Sequence, residues 1–295
     1  MRHRHLSQVA AVVLLLSAIS FAQTRWVVAQ PVANMYSEPT LDKDVVSQAI
    51  YGTTVVPADT DSKSEPNGWV HIKTPDEYSG WVQRDALLPL NGNYPAEGRP
   101  AVMVTNRGAN LYREQDVTEH APVLTLPFET MLEVASVPKK GAERWLEVRL
   151  VDGKTAWIQR GDVQERTDKT LTIDEAIALA KKFLGVTYTW GGTSSFGYDC
   201  SGFMQMLMRR RGVLMPRDAD VQAAWSGVVP VKRSELKAGD LLYFGSSPQK
   251  ISHTGMYIGN GEFIHDTTHD HPMVQISKLN EKPWTNILVA CRRAK

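Results

Sequence analysis

The chain has 295 residues, 42% of them hydrophobic, and a formal net charge of +1. That length supports more than one core, and the near-neutral balance argues against nucleic acid and against an acidic membrane surface as partners. Two cysteines are too few for a disulfide framework or a structural zinc site.

The chain opens on the basic pentapeptide MRHRH, followed by the apolar run VAAVVLLLSAISFA. The run is too short to span a bilayer comfortably, and small residues lie at the cleavage-determining positions ending at Ala22. Residues 1–22 therefore read as a signal peptide cleaved near Ala22. The mature protein is expected outside the cytoplasm, periplasmic or secreted, and free of the membrane.

An internal repeat comes next. Asn34, Tyr36, Trp69, Trp81, Gln83 and Arg84 recur 76 residues later as Asn110, Tyr112, Trp145, Trp157, Gln159 and Arg160. Agreement at a single offset points to two copies of one domain. Each copy holds short β-type runs broken by Gly, Pro, Asn and Asp, and Asp152–Gly153 marks a tight hairpin. This is the pattern of a small β barrel, with the repeat tryptophans in its core. The stretch LNGNYPAEGRP, residues 90–100, reads as the linker between copies.

From Leu171 the style changes. Thr172 with Glu175 forms a capping box for a helix with an apolar stripe at Ile173, Ile177, Leu179, Ala180 and Leu184, stopped by Gly185. A second helix opens at Cys200, buries Phe203, Met206 and Leu207, and ends in Arg209–Arg211, read as a solvated helix end. Strand-like runs then follow, DLLYFG, HTGMYIG and EFIHDTT. Helices followed by strands indicate an α+β domain.

The chemistry gathers around Cys200. A thiol at a helix N-terminus has its thiolate favoured by the dipole and by free N–H groups, which also suit an oxyanion. A nucleophile needs a base, and a base needs an orienting partner. Asn260–Gly261 would join the strands carrying His253 and His265 as antiparallel neighbours and set both imidazoles on one face. Cys200 is also readable as a buried thiol or as half of a disulfide with Cys291, although Cys291, in ILVACRRAK, reads as a core thiol of a last strand. The run HDTTHDH has metal-ligand types but no fixed ligand pattern, and reads as a solvated loop.

The repeat, through NMYSEP, GWVHI and GWVQRDAL and through NLYREQ, RWLEV and AWIQRGDV, resembles bacterial SH3-like domains. The stretches YTWGGTSSFGYDCSGFMQMLMRRRGVLMPRDADVQ, LKAGDLLYFG and ISHTGMYIGNGEFIH look like the NlpC/p60 cysteine peptidases. The fold class implied is multidomain: two small all-β SH3-like barrels, over residues 23–90 and 100–165, then an α+β papain-like NlpC/p60 domain over 170–295. The resemblance implies Cys200 as nucleophile, His253 as base and His265 as the orienting residue, with no cofactor and no metal.

The whole architecture looks like that of γ-D-glutamyl-L-diamino-acid endopeptidases. The implied partners are peptidoglycan stem peptides, L-Ala-γ-D-Glu-diamino acid with a free N-terminus, acted on by a monomer. Asp218 is then implied to pair with the free ammonium, Tyr78 to close that end, Tyr188 to donate to the oxyanion, and Trp190 to wall the pocket. Asp199 and Ser201 would line the groove. A glutamate that the family places in the first barrel has no clear counterpart: Val46 or Ser47 stands there, with Glu38 as a substitute. Two other functions stay open, an N-acetylmuramoyl-L-alanine amidase on the same fold and a wall-binding adaptor in which the barrels do the work.

Overall fold

The computed structural model describes residues 25–58, 66–136 and 143–295. The expected signal peptide lies outside the described residues. Among the described residues no helix is long and apolar enough to cross a membrane.

The repeat appears as two seven-stranded antiparallel sheets. The first runs, in spatial order, Val45–Ile50, Val32–Tyr36, Ser79–Gln83, Trp69–Lys73, Thr54–Pro57, Trp26–Val28 and Leu87–Pro89. The second repeats that order with Leu124–Pro127, Gly108–Tyr112, Thr155–Gln159, Trp145–Arg149, Met131–Ser136, Ala101–Val104 and Val163–Glu165. Each encloses its own apolar core, around Met35, Ile72 and Val82 in one and Leu111, Leu132 and Ile158 in the other. Trp69 and Trp145 are buried as expected, each meeting the repeat tyrosine edge to face. Trp81 and Trp157 are only half-buried, and Trp81 stacks on His71 at 4.7 Å. They pack across strands on a barrel's outer face, so a shared offset did not mean a shared core position.

The C-terminal unit is a six-stranded antiparallel sheet, ordered Val228–Pro230, Leu288–Ala294, Leu241–Ser247, Lys250–Gly259, Glu262–Thr267 and Met273–Lys278. Four helices accompany it: α1 (Ile173–Lys182), α2 (Cys200–Arg210), α3 (Ala219–Ala224) and α4 (Trp284–Ile287). The Thr172–Glu175 capping box forms in both directions. Its helix buries Ala176, Ile177 and Ala180, whereas Ile173 and Leu184 lie beyond the core edge and are exposed. Helix α2 is buried along nearly its whole length and is the centre of the core, against Phe183, Tyr198 and Tyr243. Both cysteines are free and buried, Cys291 on the last strand.

The barrels are docked, not tethered. Gln48 of the first accepts from Thr193 N–H (3.0 Å) and Ser194 Oγ (3.1 Å), while Thr193 Oγ1 donates to the Gln48 carbonyl (3.0 Å). Gly191 shows why a side chain is excluded there: its φ is +74°, and a Cβ would press on the Val45 carbonyl. The second barrel holds on through Arg107, whose Nε donates to the Lys182 carbonyl (2.8 Å). Glu129 adds an ion pair with Arg209 (2.6 Å), and Arg210 is largely buried beside it. Arg209 and Arg210 are thus part of an interdomain seam. An arginine run at a helix end reads as solvated only while the partner surface is unknown.

Candidate active site

Cys200 is the first residue of α2. Asp199 precedes it as N-cap, in extended backbone, and its Oδ1 accepts from Gly202 N–H at 2.7 Å. The strand Lys250–Gly259 packs against this helix, and the Thr254 N–H donates to the Cys200 sulfur. Thr254 follows His253 directly, so the thiol sits where the chain presents the first histidine.

The turn predicted at Asn260–Gly261 forms with both residues at positive φ, 53° and 77°. It pairs Met256 with Ile264 and Tyr257 with Phe263. As expected, the two imidazoles meet: His253 Nε2 lies 2.7 Å from His265 Nδ1. Phe244, Phe263 and Trp284 cage the pair, with ring centroids 4.5–5.6 Å from one or other histidine. Burial in that cage drives His253 down to about 3 and His265 well below the usual imidazole range. Burial likewise pushes the Cys200 thiol up to about 12, aided by the Asp199 charge and opposed by the N–H groups of Thr254 and Ser201 and by Arg217. Burial therefore favours the uncharged forms of both thiol and imidazole. Charge separation is favoured only when both charges form together, next to the helix N-terminus.

A cleft of about 310 Å³ opens over Cys200. Tyr78, Tyr188, Trp190, Asp199, Ser201 and Asp218 all line it, so the structure gathers every expected substrate-side residue around one space. Their environments differ. Trp190 is 68% exposed and stands as an outer wall. Burial and the nearby Cys200 push the Tyr188 phenol above its ordinary range, so it stays a hydrogen-bond donor. Asp218 occupies the N-cap position of α3, but its side chain makes no cap hydrogen bond. It takes a hydrogen bond from the Tyr78 hydroxyl instead. Burial raises the Asp218 carboxyl, and burial with the Asp218 charge pushes Tyr78 up to about 12.

Asp199 and Ser201 are held by a residue that the sequence reading passed over within PRDAD. Arg217 donates to Asp199 Oδ1 (3.0 Å), Asp199 Oδ2 (2.5 Å), Ser201 Oγ (2.8 Å) and, across the domain seam, Ser47 Oγ (3.3 Å). Ser201 also donates to Asp199 Oδ1 (3.1 Å). Nothing in an arginine beside an aspartate distinguishes a buried clamp from a surface charge. The first barrel's carboxylate in the cleft is Asp44, with Val45 and Val46. Glu38, the substitute considered from sequence, pairs with Lys43 at 2.7 Å on the surface and does not line the cleft. Asp266 was also unforeseen. It follows His265, is fully buried with neither oxygen in a well-formed hydrogen bond among the described residues, and is pushed up to about 8 by burial and by Asp199, against the nearby Thr267 N–H. A larger cavity, about 370 Å³, lies where the three units meet. It holds none of the Cys–His–His groups, and size alone would have misplaced the site.

Residues 185–293 match the NlpC/P60 family, and residues 35–87 match the bacterial dipeptidyl-peptidase Sh3 domain. The chain is 30% identical to the gamma-D-glutamyl-L-lysine dipeptidyl-peptidase of Bacillus subtilis (strain 168) over 85% of its own length and 82% of the relative's. It belongs to the NlpC/P60 family.

As a member of that family it is a cysteine peptidase, built as SH3-like units followed by an NlpC/P60 domain. The crystal structure of an NlpC/P60 family protein from Bacillus cereus ATCC 10987 superposes with a TM-score of 0.76 at 25% identity, covering 92% of this chain and 99% of that one. An NlpC/P60 endopeptidase from Photobacterium damselae subsp. piscicida shares the fold at 17% identity and a TM-score of 0.65. The NlpC/P60 match contains Cys200, His253, His265 and Asp218, while the Sh3 match contains Asp44 and Tyr78. The two matched segments therefore meet across the cleft.

Proposed function

We propose that this NlpC/P60 peptidase cuts the bond between γ-D-glutamate and a diamino acid, lysine or diaminopimelate, in peptidoglycan stem peptides with a free N-terminal L-Ala. The observation that carries the reading is the acidic lining of the cleft: Asp218 with Tyr78 beside it, and Asp44, two of the three supplied by the first barrel. A free ammonium suits two carboxylates and a phenol, whereas an acylated or glycan-linked alanine would leave Asp218 half-buried without a cation. The Bacillus subtilis relative's name states the same bond class with lysine.

Cys200 is the nucleophile in this reading. With His253 Nε2 committed to His265, Nδ1 is the nitrogen open to the thiol. The sulfur bonds to the γ-carbonyl carbon while the thiol proton passes to His253 Nδ1. The oxyanion is met by the Cys200 N–H at the start of α2 and by the Tyr188 hydroxyl. Collapse breaks the C–N bond, and the leaving amine takes the proton from His253. Water, deprotonated by the same nitrogen, then hydrolyses the thioester and frees L-Ala-γ-D-Glu.

Mass spectrometry of digests of L-Ala-γ-D-Glu-L-Lys, its diaminopimelate analogue and their N-acetylated forms tests the proposal. Cleavage of the free peptides after D-Glu, with the acetylated forms spared, is expected. Cleavage of the acetylated forms at similar rates would refute the amine pocket, and turnover by Cys200→Ala would refute the nucleophile.

A further inference from the structure

The row of hydrogen bonds does not stop at the histidine pair. His265 Nε2 lies 3.0 Å from Ser277 Oγ on the strand Met273–Lys278. In that ladder His265 stands opposite Gln275, so Ser277, two residues along, projects from the same face. His265 is fully buried. Phe263 lies 4.5 Å from its ring and Trp284 4.7 Å, edge-on. Around Nε2, the hydroxyl of Ser277 is the polar group the structure offers.

We infer that Ser277 is a positioning residue of the catalytic set: its oxygen accepts the His265 Nε2 proton and so keeps His265 Nδ1 an acceptor toward His253. The inference rests on the reading of Cys200 as nucleophile and His253 as base. Once His253 takes the thiol proton at Nδ1, both its ring nitrogens carry hydrogen. Its Nε2–H can then only donate, so His265 Nδ1 must be bare and the single proton of neutral His265 must sit on Nε2. That N–H points at Ser277. Each bond has one allowed direction in the charged state, and the serine is the last acceptor in the row. In the opposite tautomer His265 Nδ1–H would donate to His253 Nε2, and His253 would carry its own proton on Nδ1, useless as a base. Ser277 holds this direction at rest, and the direction becomes obligatory as charge develops on His253, so its loss falls on turnover, not on binding.

The titratable groups facing His265 are His253 on the neighbouring strand and His269 in the loop beyond; α4 presents Trp284. The experiment uses the full chain with L-Ala-γ-D-Glu-L-Lys. Ser277→Ala should lower kcat roughly 10- to 100-fold, the usual loss when a partner that fixes a functional histidine is removed, with KM little changed. Ser277→Thr, which keeps the hydroxyl, should restore most of kcat. Nitrogen-15 NMR of the imidazoles should place the His265 proton on Nε2 in the wild type, with Nδ1–H appearing in Ser277→Ala. Unchanged kcat in Ser277→Ala, equal losses in alanine and threonine variants, or an unaltered His265 tautomer would overturn the inference. Full turnover in His253→Ala would instead overturn the reading it rests on, whatever Ser277→Ala does.

Discussion

Removing Arg217 should cost this protein more stability than any other single charge. The guanidinium is 3% exposed, and its ion pair with Asp199 is nearly as dry. Arg217→Ala deletes four hydrogen bonds at once: two to Asp199, one to Ser201 and one to Ser47 of the first barrel. The loss is dominated by what stays behind, a carboxylate left in the interior beside the nucleophile without its counter-ion. Breaking a buried pair in this way costs about 3–5 kcal/mol. For a chain of this size that corresponds to a melting temperature lower by roughly 10 °C. Urea unfolding of the wild type, Arg217→Ala, Asp199→Asn and the double variant measures it. The cycle should return a coupling of ~2 kcal/mol or more, because Asp199→Asn removes the stranded charge and rescues part of the loss. A single-variant loss below ~1 kcal/mol, the level of a surface pair, with additive effects in the double variant, would refute the clamp.

Three further outcomes are expected. Gly191→Ala combines a positive φ with a clash on the Val45 carbonyl, so it should lift the first barrel from the cleft; kcat/KM should fall by ~10-fold or more, as misplaced binding groups do, and an unchanged value would show the seam to be compliant. Asp218→Asn should raise KM for the free-amine peptide about tenfold, the worth of one charge-assisted hydrogen bond, and equal loss on an acetylated peptide would remove Asp218 from amine recognition. Asp266 is raised from 3.8 to about 8, so the folded state keeps a proton that the unfolded state gives up. Its contribution to stability is present below pH 4 and is lost as pH rises toward 8. Asp266→Asn should therefore stabilise the protein more at about pH 7 than at about pH 4, and equal increments at both would show Asp266 to be solvated.

What could be read from the chain follows the range of the forces involved. The offset of the repeat, the capping box at Thr172 and the Asn260–Gly261 turn are local, and each determined a geometry that the fold keeps. The turn alone was enough to bring His253 and His265 side by side. Tyr188, Trp190, Asp199, Ser201, Asp218 and Tyr78 of the cleft were legible through the family resemblance of their motifs, not through any local force. Arg217, Asp44 and the Arg209–Glu129 pair were not, because their roles exist only once separate units dock and water leaves the seam. Ser277 and Trp284 escaped for a related reason. Both reach the histidines across strand and helix contacts that no periodicity in their own segments marks.

The two barrels share one strand order, yet the residue before the third strand of each sheet differs: Tyr78 ahead of Ser79–Gln83 in the first, Lys154 ahead of Thr155–Gln159 in the second. Tyr78 enters the cleft, while Lys154 stays in water beside Asp152 at 2.9 Å. Duplication has thus supplied one module twice and given each copy a different trade. The second copy is a bracket; the first is a docked jaw whose Tyr78 lines the cleft over the thiol. On the proposed reading, the preference for short free-amine peptides is a joint property of two domains folded against each other. Changing the jaw alone would redirect the enzyme toward longer wall fragments without touching its chemistry.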